Sequence, residues 1–568
     1  MNKITIISAL SALIPILSSA QQLTVADYKQ AEQQLSAATS KLVIGTLDYP
    51  SWGNDKRLIY RSKTTNGEQF FQVDAKSKKK SLAFDHAKLA ESLARITESE
   101  INQEKLPFNH VEKTANNKLA LTVKGKEYYC DLISYVCQVN GLGKKKNELL
   151  SPDGKRAVFI REHNLWLRDL ASDQQTQLTT DGIENFAYGT NNAGWIRRDT
   201  PVVTWSPDSK KLTTFKHDGR KVGDMGIVST AVGHPKIDVW KYPLPGDEHI
   251  FKIHRVIIDV DNAKVIPLDM APDDHRSTIT DHVAGRNGNL LDIDWSADSK
   301  SFAFVSTTRD HKNATLRIAN AQTGKVKTIF TETEETFFES GVQGISWQYL
   351  EKTNEVVWFS QRSDWGHLYL VDLTTGKVKH AITEGNWTVI SLLHINEDTG
   401  KLIFTGAGRE GGDPYFHYLY SINKDGSDLT LLTPEQKHHR ISLNKGGDYF
   451  LDRASTYNQA EVSFIRNTEN GDGFVVEQMN IDKLLATGWQ APTPFIVKDR
   501  NGEHDIHGLF YKPTNFDETK SYPVVNYLYP GPQVGSIRGR HFRTARRDHQ
   551  PIAELGFIVV EIDALGTP

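Results

Sequence analysis

Few side chains in this chain have types and spacing that could do chemistry. Acyl transfer through an activated serine needs a G-x-S-x-G nucleophile elbow, and none occurs in the 568 residues. Two cysteines, Cys130 and Cys137, sit in Tyr128-Tyr-Cys-Asp-Leu-Ile-Ser-Tyr-Val-Cys137 and flank an expected hairpin. In an exported chain they pair across it, and otherwise they are two buried thiols. His438-His439 and the pair His249/His254 show no carboxylates at ligand spacing, so they read as surface or packing histidines and no metal site is expected. Asn313-Ala-Thr and Asn386-Trp-Thr match the short glycosylation acceptor pattern. Glu184 is the one carboxylate between Ile183 and Arg198, and Tyr529 closes the apolar run Val524-Val-Asn-Tyr-Leu-Tyr529 just before Pro530-Gly-Pro532. On their own, the first reads as a loop residue and the second as an aromatic at a strand end.

The elements around Tyr529 say more. The run ending at Tyr529 and the later Phe557-Ile-Val-Val-Glu-Ile-Asp563 are both apolar strands, and the stretch between them, closing at Leu555-Gly556, is a helix with glycine just past its end. Strand, helix, strand is a parallel crossover unit, the opening of an α/β domain. A chain of this sequence is therefore expected to hold only the first strands of that domain.

Upstream, a theme recurs at spacings of about forty to fifty residues. Ser151-Pro-Asp-Gly-Lys-Arg156, Trp205-Ser-Pro-Asp-Ser-Lys210 and Trp295-Ser-Ala-Asp-Ser-Lys300 are its clearest copies. Weaker ones begin at Trp52-Gly-Asn-Asp-Lys56, Ser346-Trp347 and Ser442-Leu-Asn-Lys-Gly-Gly447, and second hairpins occur at Leu370-Val-Asp-Leu-Thr-Thr-Gly-Lys377 and Ile422-Asn-Lys-Asp-Gly426. Proline presets each turn, aspartate caps its own backbone, and Gly or Ser takes the unusual dihedrals. Repeated four-stranded units bury their faces only against one another, which predicts a mainly β chain: a β-propeller of seven or eight blades over 41–490, then the α/β part over 491–568. Two helices are expected, over 24–38 with a Thr24/Asp27 cap and over 85–96 with Leu89, Leu93 and Ile96 on one face.

Composition is that of a globular protein, 38% hydrophobic and 24% charged, with a net charge of -3 that steers it toward neither nucleic acid nor anionic lipid. Residues 1–20 read as a secretory signal: Lys3, the apolar run from Ile4 to Leu17, and Ser18-Ser19-Ala20 before Gln21. Pro15 interrupts that run, which is too short to span a membrane comfortably, so no transmembrane segment is expected after removal. Lys3 is the one charge that would leave.

Taken in order, Tyr28-Lys-Gln-Ala-Glu32, Tyr49-Pro-Ser-Trp52, Trp205-Ser-Pro-Asp208, Tyr242-Pro-Leu-Pro-Gly246, His367-Leu-Tyr-Leu370 and Tyr529-Pro-Gly-Pro-Gln533 give a chain that resembles the dipeptidyl peptidase IV branch of the prolyl oligopeptidase serine peptidases. The resemblance covers nearly the whole chain after residue 20. It implies a propeller that filters access to a Ser-Asp-His site on an α/β-hydrolase domain, an N-terminal helix (21–40) packed on that domain, peptide substrates cleaved near their N-terminus after Pro or Ala, no cofactor, a periplasmic or secreted location, and a homodimer for the complete enzyme. It also implies that Tyr529 donates to the oxyanion of the tetrahedral intermediate. The triad falls outside these residues, so the chain itself is expected to be inactive.

The sequence departs from the family at three points. Pro530 and Leu565 stand where a small residue and an arginine are usual. The Glu-Glu pair that holds a substrate's free amine is missing, with Glu184 the nearest substitute. The competing reading is a non-enzymatic propeller that binds peptides or glycans as a scaffold. Residues 491–568 speak against it, because a pure binding propeller has no use for an incipient hydrolase sheet.

Overall fold

In the computed structural model of the chain, the residues described are 23–113, 117–139, 145–190, 199–275, 290–338, 347–529 and 535–565. The signal-like segment 1–20 lies outside them. The chain divides into two compact units: residues 44–480 with 539–542, and residues 1–43 with 481–538 and 543–568.

The larger unit is a β-propeller. Among the described residues it holds eight antiparallel sheets of four or more strands, each from one contiguous stretch of chain, together with a separate two-stranded ribbon. The blades run 48–82, 111–139, 149–177, 186–274, 293–333, 348–381, 388–431 and 438–478. Apolar clusters lie between neighbours. Val357 and Leu370 of blade 6 pack with Leu402 and Phe404 of blade 7, and Leu58 and Val73 of blade 1 pack with Leu451 and Ile465 of blade 8. Each sheet leaves its apolar faces bare, so a blade is stable only with its neighbours.

The S-P-D-x-K turns form a chain of hooks from blade to blade. In each, the serine hydroxyl donates to the aspartate two residues on: Ser151 to Asp153 (2.6 Å), Ser206 to Asp208 (2.6 Å) and Ser296 to Asp298 (2.8 Å). The fourth position takes a left-handed backbone: Gly154 (φ 70°), Ser209 (φ 61°) and Ser299 (φ 61°). Serine accepts this cost because its hydroxyl receives the Asp N–H of the preceding blade, Asp153 to Ser209 (3.1 Å) and Asp208 to Ser299 (3.1 Å). Beyond blade 5 the hook changes chemistry. Ala297 N–H donates to Glu351 (3.0 Å), and Lys352 pairs with Asp398 (2.9 Å).

The ring closes between blades 1 and 8 without exchange of strands. Trp52 Nε1 donates to the Ser442 carbonyl (3.1 Å), Tyr60 OH to Glu477 (2.9 Å) and Lys80 Nζ to Glu477 (2.7 Å), while Lys56 pairs with Asp448. Ile44 and Asn480, where the chain enters and leaves the ring, form a bridge with each other.

Two insertions depart from the plain repeat. The helix His86–Thr97, capped by Asp85, buries Leu89 and Leu93 beside blades 1 and 2, as the sequence predicts. Strands Asp224–Ser229 and Lys236–Lys241 form a ribbon that no other described strand joins, with Ile227, Val228, Ile237 and Val239 exposed.

In the smaller unit the Thr24/Asp27 capping box opens a helix, but it ends at Gln33; Leu35 is extended and a second turn runs Ser36–Thr39. One helix was expected here. The extended Leu35 breaks the i to i+4 ladder, so the apolar spacing carries across two segments. Strand Val524–Tyr527 pairs in parallel with Ile558–Ile562, and the helix His549–Glu554 joins them. The sheet is mixed rather than purely parallel: the hairpin Thr493–Lys498/Asp505–Tyr511 adds antiparallel strands, so Ile558–Ile562 is paired on both sides. Glu554, buried, fixes the N-terminal helix by accepting from Gln30 (2.7 Å), Thr514 (2.8 Å) and Gln550 (2.6 Å).

Candidate functional site

Glu184 sits on a reverse turn in the propeller, just before blade 4. Ile183 and Phe186 exchange backbone hydrogen bonds (3.2 and 3.0 Å), with Asn185 left-handed between them at φ 59°. Asn164, buried, bolts the turn down: its Oδ1 accepts from Gly182 N–H (2.9 Å) and Thr179 (3.0 Å), and its Nδ2 donates to the carbonyls of Gly182 (3.3 Å) and Glu162 (2.9 Å). Position 182 must be glycine, because a Cβ there would lie 2.2 Å from the His163 carbonyl oxygen. Gly219 N–H donates to the Asn185 carbonyl (2.8 Å).

Cations clasp the far side of the turn. Lys216 Nζ and the Arg220 guanidinium each lie 4.0 Å from the Phe186 ring centre. Lys216 also donates to Asp181 (2.6 Å), and this bond holds that carboxyl below its ordinary range against the opposing effect of burial. The Arg220 bond likewise lowers Asp218. These neighbours are neutralised, whereas Glu184 is exposed and makes no ion pair or hydrogen bond among the described residues. It stands at a cavity of about 560 Å³ lined also by Asp224, Lys241, Trp240, His217 and Phe251. Asp224 is paired with Lys241 (3.2 Å), which leaves Glu184 as the uncompensated charge among the described residues that line the cavity. Residues 191–198 of the stretch that began at Ile183 lie outside the described residues.

Sequence reading singled out Glu184 as the nearest substitute for the missing pair but missed what positions it. Asp218-Gly219-Arg220 and Asn164 lie far from it along the chain, and the dense charge of 216–220 was the available signal.

Tyr529 lies in the smaller unit at the end of Val524–Tyr527, about half exposed at 51%. Its N–H donates to the Ser536 hydroxyl (2.8 Å), and Ile537 N–H donates to Asp563 Oδ1 (3.1 Å). The buried Ser536 and Asp563 therefore pin both feet of the loop that follows Tyr529, whose residues 530–534 are not among those described. Leu565 is exposed just past the last strand.

The remaining residues that the sequence singles out fall as follows. Cys130 and Cys137 are opposite each other in an antiparallel pair and joined as a disulfide. His249 is exposed, and His254 packs edge-on to Phe186 at 5.4 Å, with burial lowering its basicity. The reading of His438-His439 needs correction: both are buried, and carboxylates do converge on His439. Its Nδ1 contacts Asp452 (2.7 Å), which only strand pairing brings near, and its Nε2 the carbonyl of Glu435 (2.9 Å), a carboxylate residue four positions away that the sequence reading passed over. Arg466 donates to both Asp452 (3.0 Å) and Glu435 (2.5 Å), so a guanidinium already holds the place a metal cation would take.

An eight-bladed propeller joined to a mixed sheet with a parallel crossover defines a propeller-bearing α/β protein. Residues 107–460 match the family model of the dipeptidyl peptidase IV N-terminal region, more than half of the chain. The chain belongs to the dipeptidyl peptidase IV branch of the prolyl oligopeptidase family. The probable dipeptidyl-aminopeptidases B of Aspergillus clavatus and Aspergillus fumigatus are each 24% identical over 467 residues, 75% of this chain and 48% of theirs, so the chain spans about half the length of these curated relatives. Among solved structures, a putative dipeptidyl aminopeptidase IV from Bacteroides ovatus superposes with a TM-score of 0.72 at 21% identity, over 95% of this chain and 74% of that one. Porphyromonas gingivalis dipeptidyl peptidase 4 follows at 0.68 and 17%, over 92% and 72%.

Proposed function

We propose that this chain is the substrate-selecting part of a serine peptidase of the dipeptidyl peptidase type, and that Glu184 receives the free N-terminal ammonium of a peptide. The observation that carries this reading is a carboxylate on a firmly hydrogen-bonded turn, unneutralised among the described residues, at a cavity whose other described charges are paired. Tyr529 would serve as an oxyanion donor, on a loop whose feet Ser536 and Asp563 fix. No nucleophile elbow is present in these 568 residues, so binding without cleavage is the behaviour expected of the chain itself. The disulfide and the signal-like residues 1–20 support export to the periplasm or medium. The exposed apolar ribbon 224–241 supports a homodimer. No helix among the described residues is long and apolar enough to cross a membrane.

Calorimetry with Ala-Pro amide and acetyl-Ala-Pro amide tests the reading. The free amine should bind the chain about fivefold more tightly, and Glu184→Gln should remove most of that preference, since one partly solvated charge contact is worth roughly 1 kcal/mol. Equal binding of both ligands, or an unchanged preference in Glu184→Gln, would exclude the role. In a fusion that supplies a Ser-Asp-His hydrolase half, Tyr529→Phe should lower kcat by about 10² to 10³ with little effect on folding. A loss under about threefold would assign Tyr529 to packing.

A further inference from the structure

Residues 539–542 pack as part of the propeller, although the residues before and after them belong to the other unit. This short strap seats on blades 7 and 8. Phe542 N–H donates to the Ser455 hydroxyl (3.1 Å), Arg540 pairs with Asp413 (3.3 Å), and its guanidinium lies 4.3 Å from the Tyr415 ring centre.

The strap's own His541 stands near two imidazoles of the propeller. The His541 ring is 5.8 Å from that of His438, which is 4.6 Å from that of His417. His438 Nδ1 accepts from the His417 backbone N–H (3.4 Å), so the neutral ring carries its proton on Nε2, and a second proton would remove that acceptor. The charges nearby do not favour protonation. Arg540 brings a fixed positive charge beside His417, and Asp413 is already engaged by Arg540. On the neighbouring position of the same strand, His439 is held by Asp452, which together with Glu435 is taken up by Arg466.

We infer that the seat of residues 539–542 is a proton-operated latch, closed while His417, His438 and His541 are neutral and released when they charge beside Arg540. Burial supports this by holding His417 down at about 4 and His438 well below the usual histidine range. The direction follows from linkage. A histidine lowered in the folded state costs nothing above its ordinary value near 6.5 and destabilises the closed state progressively as pH falls below it.

Hydrogen exchange on the full chain tests the latch, with rates corrected for the intrinsic pH dependence and strands Tyr449–Ser455 and Val462–Asn467 as internal reference. Between pH 7 and pH 5, protection of 539–542 should fall at least about tenfold while the reference strands hold. Constant protection of the strap, or equal loss in strap and strands, would overturn the proposal. The double variant His417→Gln/His438→Asn, which keeps a side-chain acceptor at 438, should cut the loss to under about threefold, and full retention of the loss would also overturn it. Should the variant fail to fold, the wild-type midpoint decides, because the latch requires it to fall between about pH 4 and 6.5.

Discussion

Two carboxylates in adjacent blades show how differently the fold treats the same group. Asp294, on the inner strand of blade 5, is pushed up to about 6 by burial, with the Tyr349 N–H (3.0 Å) working against the shift. Glu355 in blade 6 is also raised by burial, but Lys379 and Lys424 (2.6 Å each) more than reverse it and hold the acid at about 2. The consequences have opposite signs. Asp294 favours the neutral form in the fold, so its contribution is lost as pH rises from about 4 through 6; Glu355 contributes above about 4.5 and loses it as pH falls toward 2. At pH 7, Asp294→Asn should therefore stabilise the propeller by about 1–2 kcal/mol, and Glu355→Gln should destabilise it by about 1–3 kcal/mol. Thermal melts at pH 7 and pH 5 check both, and a gain for Asp294→Asn that does not shrink at the lower pH would contradict the assignment. Neither behaviour was visible in the sequence: Asp294 owes its shift to burial, and Glu355 meets Lys379 of its own blade and Lys424 of the next, both far from it along the chain. Of the acids beside His439, Asp452 was hidden because it lies on the next strand of the same blade, while Glu435 stands only four residues away in the sequence. By contrast the two cysteines stood out by their local surroundings alone, whereas Glu184 and Tyr529 were singled out through the family resemblance.

At the scale of elements, local signals read well and long-range ones poorly. The capping box at Thr24, the helix after Asp85 and the S-P-D turns were legible because each is fixed by side chains within four residues of one another. The hairpin 493–511 and the ribbon 224–241 escaped, since their pairing is decided by contacts that no short motif announces. The turn serines carry information that only the assembled blades explain. Ser209 occupies a backbone region natural to glycine because its hydroxyl serves the neighbouring blade. Ser209→Ala keeps the strained backbone and orphans the Asp153 N–H, and should cost about 1–2 kcal/mol. Ser209→Gly loses the same acceptor but relieves the backbone, and should fall within about 0.5 kcal/mol of wild type. Denaturant midpoints order the two, and a glycine variant as weak as the alanine one would refute the hook.

For the whole molecule, the sequence announces two parallel strands and a helix within 491–568, and the mixed sheet adds an antiparallel hairpin to them. Strand Ile558–Ile562 is paired on both sides, while exposed apolar side chains collect on the two edge strands of the sheet: Ile496 and Val497 on one, Val524 on the other. Limited proteolysis should therefore cut first within 493–527, later at 558–562, and last in the blades. Cleavage of blade strands before 493–527 would contradict this order. The ring itself has a seam. Every blade is contiguous in sequence, and blades 1 and 8 meet through side chains, with Ile44 and Asn480 bridged where the chain goes in and out. In mechanical terms both attachment points of the propeller coincide, so a pull along the chain loads the side-chain seam between blades 1 and 8 before it loads any strand ladder. The ring is built to part at a chosen place and to leave each blade whole.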